Sequence, residues 1–135
     1  MALIVDTGPL VALLDATDPD HDACTLLLQE AREPRVVPAC VLVEVEYLVR
    51  PWPDAFPALL ADFRAGALEL LDLPMPWLSR AGELVDRYRD LPLGLVDATV
   101  VAAAERLRES KVATLDHRHF GIVRPAHAEA LTLLP

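Results

Sequence analysis

MALIVDTGPLVALL, residues 1–14, sets an apolar run of Ala2, Leu3, Ile4 and Val5 against an abrupt carboxylate at Asp6. Four apolar residues bounded by polar and turn residues read as a strand covered on both faces. Thr7, Gly8 and Pro9 then supply helix-starting chemistry, with Gly8 as N-cap and Pro9 at the first helical position. The continuation Leu10 to Leu14 is apolar nearly all round, so this short helix is expected to lie under other protein. Asp6 therefore falls in a strand-to-helix crevice. In open α/β sheets ligands bind in the crevice outside the carboxyl ends of the strands. Asp6 is a site candidate on that ground, while capping of the following helix is the structural alternative.

Outward from this stretch, strand and helix patterns alternate. Asp18, Pro19 and Asp20 make a turn, and a helix is predicted from Pro19 to Ala31 with Ala23, Leu26 and Leu27 at helical spacing. Arg35, Val36 and Val37 form a second strand closed by Pro38, and Ala39 to Val49 reads as a helix. Two glutamates sit in it, Glu44 and Glu46, each flanked by apolar residues three and four positions away. A carboxylate on such a face is costly unless paired, protonated or bound to a cation. Arg50, four residues beyond Glu46, offers one partner, and periodicity does not choose between the two acids. Pro51, Pro53 and Pro57 stop the helix and lead into another that runs to Ala65, with Gly66 capping it. A strand at Leu68–Leu71 and a helix at Trp77–Arg89 follow. Trp77, Leu84 and Tyr88 have the spacing of core residues.

The helix beginning near Gly94 carries Asp97 among small and apolar residues, with Val100, Val101 and Ala104 on its face. Asp is a poor helix former, although the first turn favours its charge. A strand at Lys111–Leu115 stops on Asp116 and so repeats the opening pattern. His117 to Gly121 reads as a turn, and a last strand lies near Ala130–Leu134.

The chain's 135 residues suit one domain spanning 1–135, and 53% of them are hydrophobic, too many for a disordered chain. No uninterrupted apolar stretch is long enough to cross a bilayer, and the amino terminus lacks the pattern of a secretory signal. Cys24 and Cys40 have no metal-type spacing and read as reduced thiols, which fits a cytoplasmic protein with no membrane partner. Acidic residues outnumber basic ones, 21 to 12, for a formal charge of −9, and eleven of the twelve basic residues are Arg. That balance opposes nucleic-acid binding unless cations mediate it. Asp15, Asp18, Asp20 and Asp22 read as a solvated acidic loop.

Alternating strands and helices imply an α/β architecture with a mostly parallel sheet and right-handed crossovers. Asp6 and Asp116 then fall at one sheet edge, with Glu44 (or Glu46) and Asp97 in helices that start there. Convergent carboxylates must take up protons unless a divalent cation neutralises them. Oxygen donors without paired Cys or His spacing favour Mg²⁺ or Mn²⁺. Such ions support attack of water on a phosphodiester, which points to metal-dependent hydrolysis. His117, His119 and His127 could add ligands or acid/base groups, but their spacing matches no zinc pattern and surface or turn residues are the favoured reading.

Four segments, LIVDTGPLVALLD, VPACVLVEVEYLV, LGLVDATVVAAAERL and VATLDHRHFGIVRP, in this order and over nearly the whole chain, give it a further meaning. The sequence resembles the PIN-domain ribonucleases, and among them the toxin half of bacterial VapBC-type toxin–antitoxin pairs. The resemblance selects Glu44 over Glu46 and maps the family's acidic quartet onto Asp6, Glu44, Asp97 and Asp116, as catalytic and metal-holding residues. It places Thr7 and Thr114 beside that quartet as supports. It implies a three-layer α/β/α domain, a Mg²⁺ or Mn²⁺ cofactor, endonucleolytic cleavage of RNA, a homodimer, and a cognate antitoxin as partner. The acidic total departs from what RNA binding asks for and leaves Arg35, Arg118 and Arg124 as the candidate contacts. A PIN-like fold kept for binding RNA or protein without catalysis is the rival reading.

Overall fold

A computed structural model describes residues 1–135. Strand β1 (Leu3–Val5) is buried at all three positions, as a strand with both faces covered must be. It is joined by β2 (Arg35–Pro38), β3 (Glu69–Leu71), β4 (Lys111–Ala113) and β5 (Thr132–Leu134) in one sheet of order β3-β2-β1-β4-β5. Every pairing is parallel, with Ile4 opposite Val36 on one side and Val112 on the other.

Seven helices make the crossovers: α1 (Thr7–Leu14), α2 (His21–Glu30), α3 (Ala39–Val49), α4 (Ala55–Arg64), α5 (Met75–Arg87), α6 (Leu95–Leu107) and α7 (His117–Ile122). The chain steps from β1 to β2 to β3 in one direction, then returns past β1 to β4 and β5. Right-handed crossovers put the helices of those two legs on opposite faces. α1 packs on α2 and α3, and α5 packs on α6. The result is the three-layer α/β/α arrangement expected from the sequence.

Each buried stripe follows from residue spacing. Val41, Val45 and Val49 recur every four residues on α3 and are all buried. In α6 the run Ala98 to Ala104 is buried throughout, because a helix of small residues can lie close against both β1 and α5. Apart from Thr99, these residues belong to a core cluster of 26 buried side chains that makes one folding unit of the chain. Cys24 is buried and Cys40 half-buried, and neither is in a disulfide.

Several boundaries differ from the sequence reading: α2 begins at His21 rather than Pro19, β4 ends at Ala113 rather than Leu115, and three further differences concern α1, α7 and α5. The first helix begins at Thr7, with Asp6 rather than Gly8 in the N-cap position and Pro9 third in the helix. Proline fits there because the N–H groups of a first turn have no intrahelical acceptor. The segment read as a turn at His117–Gly121 is α7, a single short helix that Asp116 caps and fully buried Phe120 anchors. The helix expected from Trp77 starts at Met75, with Pro76 in its first turn.

Candidate active site

Strand order reverses at β1, and Asp6 and Asp116 follow the two strands that flank the switch. Asp6 N–H donates to the Ala113 carbonyl at 2.9 Å, which locks the first carboxylate beside the end of β4. From the other helices Glu44, second turn of α3, and Asp97, first turn of α6, reach the same cavity of about 680 Å³. Asp18, in the loop after α1, adds a fifth acid to its wall, and no Arg or Lys lines it. Apolar walls come from Val11, Leu48, Leu95, Val96 and Leu115. Gly8 lies so near Leu115 that a Cβ there would sit 3.2 Å from that side chain, so glycine keeps the α1 entrance open.

One hydroxyl ties two of the acids together. Thr114 Oγ1 donates to Asp6 Oδ2 at 2.8 Å and accepts the Asp116 N–H at 3.0 Å. Thr114 is fully buried, and Asp6 is 5% exposed. The other Asp6 oxygen, Oδ1, and Thr7 Oγ1 are buried without a hydrogen-bond partner. Buried polar atoms left unpaired are costly, and two on residues lining one acidic cavity are what oxygen ligands for a cation look like.

The electrostatics agree. Burial pushes the Asp6 carboxyl up to about 6, against the Thr7 amide and Thr114 hydroxyl, which lower it; Glu44 and Asp116 add repulsion. Asp97 also rises to about 6, through burial first and then the charges of Asp6, Asp116 and Glu44. Asp6 and Asp97 thus each feel the charges of both Glu44 and Asp116. A divalent cation would relieve both causes at once.

Glu46 lies outside the cavity, ion-paired to Arg50 at 2.9 Å, so the two glutamates of α3 part company as their positions on the helix require. The Arg35 guanidinium donates to the carbonyls of Leu28, Ala31 and Ala67, closing the end of α2. Arg124 likewise donates to the Gly121 and Val123 carbonyls, while Arg118 is exposed on α7. His117 and His127 each face a backbone carbonyl, of Thr114 and Glu109. His119 does not fit the surface-turn reading. It lines the cavity, its N–H caps onto Asp116 Oδ1 at 3.0 Å, and its ring Nδ1 stands 2.5 Å from Asp116 Oδ2. The signal was its place three residues after Asp116, which becomes one helix turn once α7 is recognised.

The PIN domain family model matches residues 3–124. Ribonuclease VapC26 of Mycobacterium tuberculosis is 36% identical over 135 residues, covering 98% of this chain and all of that protein. Among solved structures, VapC20 of Mycobacterium tuberculosis, described as a toxin that cleaves the sarcin–ricin loop, superposes with a TM-score of 0.79 at 21% identity, over 86% of this chain and 91% of that one. VapBC2 of Rickettsia felis, bound to a promoter DNA fragment, gives a TM-score of 0.70 at 18% identity over 100% of both chains. With the fold, the switch-point crevice and the family match in agreement, the chain belongs to the PIN-domain family, in its VapC branch.

Proposed function

We propose that this protein is a Mg²⁺- or Mn²⁺-dependent endoribonuclease, the toxin of a toxin–antitoxin pair, working as one domain over residues 1–135. The observation that carries this reading is a cavity walled by five carboxylates and no Arg or Lys, in which buried oxygens of Asp6 and Thr7 have no partner. A phosphodiester cannot enter such a place without counter-cations, so the site itself asks for them. Asp6, Asp97 and Asp116 would hold the cation, and Glu44, the most exposed of the quartet, would hold a second ion or orient the attacking water. When bound, the cation supplies charge neutralisation and Lewis acidity at the scissile phosphate. The protein's share is positional: Thr114 fixes the separation of Asp6 and Asp116, and the walls from Leu48, Leu95 and Leu115 shield the charges from bulk water.

The named activity of VapC26 and the full-length likeness to it support RNA as the substrate. The structural neighbours include toxin–antitoxin complexes, which supports an antitoxin partner. Val43, Tyr47 and Leu48 on α3, with Trp52 just beyond, are exposed apolar side chains on which a second copy or that partner would rest. No helix is long and apolar enough to cross a membrane, and we place the protein in the cytoplasm. The test is cleavage of a mixed cellular RNA pool by purified protein in Mg²⁺ or Mn²⁺, beside EDTA and the Asp6→Asn and Asp97→Asn variants. Cutting that EDTA and both substitutions abolish supports the reading. Equal behaviour of folded wild type and variants overturns it in favour of a binding module.

A further inference from the structure

The quartet accounts for oxygen donors only, yet one nitrogen donor stands among them. Ligand atoms from Asp97, Asp116 and His119 all lie within 4.8 Å of one another, and all three side chains are half-buried in the wall of the same cavity. Asp6, 5% exposed with Oδ1 unpaired, and Thr7, 4% exposed with Oγ1 unpaired, line that cavity and mark it independently as a place for a ligand. We propose that His119 is a metal ligand in this protein, making the Asp97–Asp116 side of the cavity a mixed nitrogen–oxygen subsite that selects Mn²⁺, or another transition-metal dication, over Mg²⁺. The inference rests on the metal-site reading above and deepens it.

The geometry needs little change. His119 Nδ1 and Asp116 Oδ2 are 2.5 Å apart, and two donors bound at ~2.1 Å and at right angles to one ion stand about 3 Å apart. A small opening of this pair converts a hydrogen bond into one edge of a coordination shell. His117 and His127 have no such prospect, since each ring faces a backbone carbonyl away from the cavity. The chemistry then sets the preference. Mg²⁺ holds its waters tightly and takes oxygen ligands, whereas imidazole suits the later divalent ions. A site made only of carboxylates would leave the choice between Mg²⁺ and Mn²⁺ to availability.

The test is Mn²⁺ binding to the RNA-free protein, followed by electron paramagnetic resonance and by electron spin-echo modulation, for wild type, His119→Gln and Asp97→Asn, with Mg²⁺ as competitor. Circular dichroism confirms that each variant is folded. The expected result is ¹⁴N modulation from a directly bound imidazole in wild type and none in His119→Gln. Mn²⁺ affinity in that variant should fall about tenfold or more, with Mg²⁺ affinity changing far less. If Mn²⁺ binds and Asp97→Asn abolishes the binding, but wild type shows no ¹⁴N coupling, the carboxylate site stands and the His119 assignment falls. If wild type binds no Mn²⁺ at all, both fall.

Discussion

At the scale of single residues, Asp6 carries an unusual cost. Its carboxyl is buried, shares one oxygen with Thr114, and is raised from 3.8 to about 6. A carboxyl whose pKa is higher folded than unfolded stabilises the fold when protonated, and that contribution is lost as pH rises through the folded value. The window runs from about pH 4 to pH 6, and the shift corresponds to on the order of 3 kcal/mol. Urea unfolding of the cation-free protein should therefore show stability falling across this window, with a shallower fall in Asp6→Asn. Asp97 adds to the slope in the same direction. At pH 7 and above, Mn²⁺ should restore stability in wild type, and an identical profile with and without the ion would contradict the assignment. Asp6, Asp97 and Asp116 stand out in the sequence because each interrupts an apolar pattern, whereas periodicity leaves Glu44 and Glu46 equal and only the family resemblance selects Glu44. The sequence offers His119 only as one of three histidines that could add a ligand, because the helix turn that brings it onto Asp116 is not announced by HRHFGI, which has too few apolar residues for periodicity.

Among the elements, the clearest hidden device is the brace between α5 and α6. Arg80 donates to both oxygens of Glu105 at 2.8 and 3.1 Å, and Glu105 also accepts the Ala126 N–H at 2.8 Å. Burial would push the Glu105 carboxyl up, but the Arg80 and Ala126 hydrogen bonds outweigh it and hold the group below the usual carboxylate range. This glutamate pins two helices and the segment leading to β5 at one point. Glu105→Ala should cost about 2–4 kcal/mol in a urea melt, since it strands a half-buried guanidinium and a backbone N–H. RNA cleavage per folded molecule should be unchanged, because Glu105 lies outside the cavity. In the sequence it is one of a cluster of charges closing a helix, and spacing does not distinguish it from Arg106 or Glu109. By contrast α3 was legible to the residue, since Pro38 and the proline-rich stretch after Arg50 bound it and its valines repeat every four positions. The start of α1 was not, because Thr7-Gly8-Pro9 accommodates a cap at either Asp6 or Gly8.

For the molecule as a whole, the charge of −9 and the sheet topology act together. A parallel sheet whose order reverses at β1 gathers the ends of its connections at one crevice. This sequence fills that crevice with acids and places no Arg or Lys on its wall. RNA should consequently bind poorly in EDTA and measurably in Ca²⁺, a hard oxygen-seeking cation, in a filter or fluorescence-anisotropy assay. Equal binding in the two conditions would mean that RNA is held by another surface, with exposed Arg118 the first residue to test. The most direct measurement is anomalous diffraction from crystals of the protein grown with Mn²⁺. A peak within bonding distance of Asp6, Asp97 and Asp116 is the predicted result. A well-ordered cavity without such a peak at millimolar Mn²⁺, or Mn²⁺ bound only elsewhere, would contradict the account.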